Sequence, residues 1–214
     1  MLLFGFLAAS VAATNASTTK SYDIRVGAVT LRVPFPAGFC SPKGERAASF
    51  KRLAAPDHRN VTLLSLVDCN SGAASHRYLL IKTPVADVDV AFDRDGLIKE
   101  LSQAAREPDF EATVQAMPKQ VGAEKSAETG VRTNLVGEYR PRGHDEVCLY
   151  FGGSMATTRR GVTQNQAAGS CLTVVGTRFI ALHAYENSAD PQAYKNLLPG
   201  LKQWALRIHR VQPR

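Results

Sequence analysis

The stretch Tyr22-Asp23-Ile24-Arg25-Val26-Gly27-Ala28-Val29-Thr30-Leu31-Arg32-Val33-Pro34-Phe35-Pro36-Ala37-Gly38-Phe39 decides the fold, because its hydrophobic period is two. Val29, Leu31, Val33 and Phe35 alternate with other side chains, as in a strand with one face buried. Tyr22 to Val26 forms the first arm of a hairpin and Gly27 its turn. Pro34, Pro36 and Gly38 end the second arm, so Cys40 falls in a turn just past it. Outward from there, Lys43 to Ala55 predicts a helix stopped by Pro56. Val61 to Val67 is almost entirely β-branched or Leu, which predicts a central strand covered on both faces. Cys69 lies at its end, and Tyr78 to Ile81 predicts its neighbour.

The middle of the chain turns helical. Asp95 is the expected cap of a segment whose Leu97, Ile98, Leu101, Ala104 and Ala105 share a face until Glu107 meets Pro108. Phe110, Val114, Met117 and Val121 keep helical spacing, with Pro118 expected to kink or break the helix and Gly122 to Gly130 expected as a loop. Four strands follow: Leu135 to Tyr139, Val147 to Phe151, Gly169 to Val175 and Phe179 to Tyr185, the last two joined by the turn Gly176-Thr177. Asp190-Pro191 then opens a helix striped by Tyr194, Leu197, Leu198, Leu201, Trp204, Ala205 and Ile208, with a kink expected at Pro199-Gly200. This order predicts an α/β (α+β) sandwich, a largely antiparallel sheet flanked by helices.

The opening hairpin, from Tyr22-Asp23-Ile24 through Val33-Pro34-Phe35-Pro36-Ala37-Gly38-Phe39, resembles the start of the Mog1/PsbP/DcrB-like group, in which a hairpin leads to a proline and glycine turn and an aromatic residue. The final strand and helix, Phe179 to Ile208, resemble that group's end. The resemblance implies a Mog1/PsbP-like sandwich and a non-enzymatic accessory or binding role, often in exported proteins. It implies no specific ligand and carries over none of the four cysteines.

Leu2 to Ala9 is an uncharged apolar run followed by Ser10, Val11, Ala12 and Ala13, the pattern of a signal peptide. Cleavage fits after Ala12, Ala13 or Ala16, so residues 1–16 are expected as the leader and 17–214 as a single globular domain. The run is shorter than the roughly 20 apolar residues a membrane helix needs, and no later segment is long and apolar enough, so no transmembrane segment is expected in a soluble mature chain. With 214 residues, 44% of them hydrophobic, the chain is long enough to bury a core. Its formal charge of +7 is spread out rather than gathered in a block, which suits contact with anionic surfaces without predicting nucleic acid as a partner.

Cys40, Cys69, Cys148 and Cys171 show neither C-x-x-C nor metal-ligand spacing with histidine, so disulfides are expected and neither a metal nor a cofactor is. Proximity in sequence favours Cys40 with Cys69 and Cys148 with Cys171. Placing Cys148 directly opposite Cys171 centres a hairpin between Arg159 and Arg160, two loop-tip arginines suited to a carboxylate, phosphate or sulfate. His58, His76, His144, His183 and His209 are scattered, and His144-Asp145-Glu146 reads as a polar turn. Gly152-Gly153-Ser154 lacks the frame of a nucleophile elbow. Asn60-Val61-Thr62 matches a glycosylation acceptor that would matter only in a eukaryotic secretory route.

These features lead to a periplasmic or secreted non-catalytic accessory or binding domain, with another envelope protein or an anionic envelope component as partner. The alternatives are an exported hydrolase using histidine and acidic residues not yet assembled, and a cationic module for envelope polyanions. Intact-mass measurement of protein from the native host should give a chain beginning after Ala12, Ala13 or Ala16; a mature chain that retains Met1 refutes export.

Overall fold

The structure, a computed structural model, describes residues 20–54, 57–70, 77–129 and 133–212. The leader at 1–16, the helix stop at Pro56 and His76 lie outside them. The alternation in the opening stretch produces β1 (Ser21–Val26) and β2 (Val29–Pro34), an antiparallel hairpin that buries Ile24, Val26, Val29, Leu31 and Val33 on one face. A short strand near the other end of the chain, β10 (His209–Arg210), pairs antiparallel with β2 and makes a separate three-stranded sheet. Polar flanks hide this strand from a hydrophobic-period reading.

The main sheet has seven antiparallel strands in the order β3-β4-β5-β9-β8-β7-β6. They are β3 (Phe39–Cys40), β4 (Asn60–Asp68), β5 (Tyr78–Pro84), β6 (Thr133–His144), β7 (Leu149–Arg159), β8 (Val162–Val175) and β9 (Arg178–Asn187). One face carries Leu64, Leu66, Ile81, Leu182 and Cys171, and packs with the small sheet and α4 (Tyr194–Arg207) into the principal core. Each Leu or Ile among them, taken out of water, contributes about 1.5–3 kcal/mol. Trp204 of α4 is 1% exposed, and its indole N–H donates to the Pro34 carbonyl at 2.9 Å, tying helix to hairpin. On the opposite face, α2 (Arg94–Ala104) and α3 (Pro108–Thr129) supply Leu101, Phe110 and Val114 against Leu149, Phe151 and Leu172. α1 (Gly44–Ala54) sets Phe50 edge-on to Tyr78, with ring centres 5.5 Å apart.

Several expectations change. β4 is the second strand from an edge, Val61 is 40% exposed and the strand has an irregularity between Thr62 and Leu64, so the apolar run does not mark a central strand. α2 is capped by Asp93, whose carboxylate accepts from the Gly96 N–H at 2.8 Å, while Asp95 lies in the first turn. α3 continues past Pro118 to Thr129, through the expected loop; the Ala, Gln, Glu and Lys residues there are strong helix formers. Asp190 closes a turn by accepting from the Gln192 N–H, and α4 begins at Tyr194 and passes Pro199 unbroken. The strands of the second half run longer than expected because β6, β7 and β8 extend together toward one turn.

That turn corrects the hairpin register. Arg159 pairs with Val162, so the two turn residues are Arg160 and Gly161, both with positive φ (52° and 79°), as a twist-matched two-residue turn requires. Tyr150, not Cys148, stands opposite Cys171, and the Cys148–Cys171 bridge runs diagonally with Cα atoms 5.1 Å apart. The Cys40–Cys69 bridge, with Cα atoms 5.5 Å apart, fastens β3 to the end of β4. Replacing Cys148 and Cys171 together by Ala should lower unfolding free energy by about 3 kcal/mol for a separation of 23 residues, measured by denaturant titration. Non-reducing peptide mapping should recover 40–69 and 148–171 linkages.

Candidate functional site

A cleft is built where α4 starts, against the edge of the main sheet. Gly152 of β7 leaves room for the Tyr194 ring, since a Cβ there would lie 2.4 Å from ring carbon Cδ2. β6 is irregular between Pro141 and His144. Arg142, in that irregular stretch, donates from Nε to the Gly152 carbonyl and from Nη2 to Glu138 Oε1, both at 2.9 Å. Its guanidinium carbon lies 4.3 Å from the Tyr194 ring centre, a cation–π contact. The Arg142 side chain is thereby held on three sides and is only 16% exposed.

Arg140 stands two residues earlier on β6, 47% exposed, and also reaches Glu138. Lys195 is exposed on α4. Together with Ser154 and Gln192 these groups line a cavity of about 450 Å³. Three cations face one carboxylate, so the cleft is net positive and already presents a planar guanidinium in fixed position. That arrangement suits a carboxylate, phosphate or sulfate, which accepts paired N–H bonds from such a fork.

The opposite face of the sheet carries a second polar group. Tyr139 of β6 donates to Ser170 Oγ of β8 at 2.5 Å, and Ser170 Oγ lies 2.5 Å from His183 Nδ1 of β9. Burial pushes the imidazole pKa down to about 3, helped by the positive charge of Lys82 and opposed by Asp57. Burial likewise pushes the Tyr185 hydroxyl up to about 12. Ser170 is 2% exposed, so it cannot meet a substrate, and an imidazole this acidic makes a poor general base near neutral pH. The chain Tyr139–Ser170–His183 therefore works as a cross-strand tie.

The His144-Asp145-Glu146 segment is a polar turn with one anchoring carboxylate. Burial raises the Asp145 pKa, but bonds from Lys202, from the Cys148 and Val147 N–H groups and from the Tyr150 hydroxyl outweigh it and hold the group at about 2. Arg160 is exposed at the β7–β8 turn, with Arg159 the last residue of β7. Ser154 lies within β7 and lines the basic cleft. His58 is exposed, and the Asn60 side-chain amide donates to Asp57 at 3.0 Å. Among the described residues no group of three His, Cys, Asp or Glu side chains is placed to hold a metal ion, and no helix is long and apolar enough to cross a membrane. Sequence reading missed Arg140, Arg142, Tyr194 and Lys195 as a set. The i, i+2 spacing of the two arginines on a strand was the available signal.

The architecture is that of an antiparallel α/β sandwich. The solution structure of cyanobacterial PsbP (CyanoP) from Synechocystis sp. PCC 6803 matches this chain with a TM-score of 0.40 and 12% sequence identity, covering 95% of this chain and 98% of that one. PsbP names the group that the opening hairpin and closing helix resemble. A likeness this distant says nothing about ligand or partner. No protein-family model matches the chain, and no curated protein matches its sequence.

The lowered His183 pKa has a measurable consequence. Its value in the unfolded chain is about 6.5, so below that pH protons bind the unfolded state first and stability falls with pH. Between about pH 6.5 and 5, where carboxylates change little, denaturant midpoints should fall for the native chain and stay flatter in His183→Gln. Equal slopes in both proteins would show that His183 is not held neutral.

Proposed function

We propose that residues 17–214 form an exported, non-catalytic binding or accessory domain, periplasmic or secreted after removal of a leader at 1–16, and that an anionic group of its ligand seats in the cleft between β6 and α4. The observation that carries this reading is Arg142, fixed by the Gly152 carbonyl, Glu138 and the Tyr194 ring beside Arg140 and Lys195. A preorganised cation loses little further freedom when it binds. The overall charge of +7 favours approach of anions to the protein as a whole. Two cysteine pairs at bonding distance suit an oxidising compartment and so support export. Arg159 and Arg160 at the far turn are a second point of contact for an anion. The reading needs no metal and no cofactor.

Titration of the full chain with inorganic phosphate at low salt, followed by amide chemical shifts, tests the cleft. Shifts should centre on residues 138–142 and 191–195. Arg140→Glu and Lys195→Glu should each weaken binding about tenfold, whereas Arg25→Glu on the small sheet should not. Equal losses in all three variants would mean diffuse attraction to net charge and would overturn the site.

A further inference from the structure

The face of the sheet that receives α4 continues past the helix toward the Arg160 turn. Strand alternation puts two further rows on this face: Asn134, Thr158 and Thr163, and Val136, Ala156 and Asn165. Asn134, Val136, Thr163 and Asn165 are exposed, and Ala156 and Thr158 are half-buried. The Thr158 and Thr163 hydroxyls bond each other at 2.8 Å. The result is a three-stranded strip of small and hydroxyl- or amide-bearing side chains. At one end lies the cleft with Arg140, Arg142 and Lys195, at the other Arg160. Arg160 lies eight positions along the chain from Gly152, about 26 Å at the usual strand rise. The carboxylates along the way are engaged, Glu138 by Arg140 and Arg142, and Glu186 by Arg77 at 3.6 Å.

We infer that this strip binds an extended anionic polysaccharide, with one acidic sugar in the cleft, its hydroxyls along the Thr and Asn rows, and a second acidic sugar at Arg160. The inference rests on the anion-binding reading of the cleft and adds the chemical class and course of the ligand. Positive charge at both ends with uncharged hydroxyl and amide groups between matches a chain that carries charge at intervals and hydroxyl groups throughout. Single-stranded nucleic acid is held by bases stacked on aromatic rings, and the two rows contain none. A folded acidic protein is held by buried aromatic or aliphatic anchors, and the rows offer only Val136.

Isothermal titration of the full chain with galacturonate and with oligogalacturonates of increasing length tests the idea. Galacturonate should bind weakly and lose affinity in Arg140→Glu. Oligomers long enough to reach the turn should bind at least about tenfold more tightly than short ones. Arg160→Glu and Thr158→Glu should remove that gain, whereas Arg25→Glu on the small sheet should leave both monomer and oligomer binding unchanged. Affinity that does not rise with length, or that rises equally in Arg160→Glu, overturns the strip while the cleft reading stands. Absence of both monomer and oligomer binding by the native chain overturns both. Tighter binding of a single-stranded oligonucleotide or a polyglutamate peptide of equal charge than of the oligogalacturonate overturns the assignment to polysaccharide.

Discussion

The close approach of α4 to the main sheet is the constraint on which the rest depends. It is possible because β7 and β8 lack side chains at Gly152 and Gly169, where a Cβ would press on Tyr194 and on Leu197 and Leu198. With the helix seated there, Leu201, Trp204 and Ala205 reach the principal core and the Trp204 indole reaches the Pro34 carbonyl. The same seat brings Tyr194 under Arg142. Core packing and the shape of the basic cleft are thus two results of one contact. Interiors packed this densely transmit displacement rather than absorb it.

Much of the polar chemistry inside the fold is committed to holding strands together. Tyr139, Ser170 and His183 span three strands, Thr173 donates to the Val147 carbonyl, and Asp145 gathers two backbone N–H groups, a tyrosine hydroxyl and Lys202. A serine beside a histidine invites a hydrolytic reading, and here burial decides against it. The cleft at the start of α4, by contrast, keeps Arg140 and Lys195 exposed to solvent.

The strongly periodic elements were legible without coordinates. The β1–β2 hairpin, the Gly176-Thr177 turn and the apolar stripe of α4 follow from spacing alone, because one face of each is buried against the same core. The long β6–β8 ribbon was only half legible. Its outer part, from Ser154 to Ala167, carries small and polar residues on both faces, so neither alternation nor apolar runs reveal it. The basic cleft was hidden for a different reason: Arg140 and Arg142 lie more than fifty residues from Tyr194 and Lys195, and meet them only after the helix has docked. Arg159 and Arg160 were picked out from a strand pairing two residues out of the observed register, and the two-residue turn at Arg160 and Gly161 sets the difference.

The small sheet joins β1 and β2 to β10, whose Arg210 lies opposite Leu31, and the Val211 N–H donates to the Thr30 carbonyl. Ribosomes deliver residues in order, so this sheet stays open until nearly the whole described chain has been synthesised. Until then Ile24, Val26 and Leu31 lack the helix and strand that cover them, and exposed apolar arms of this kind are what holding chaperones bind. Contacts closed over so long a stretch of chain also form slowly. The fold therefore closes last at the sheet that joins its first strands to β10.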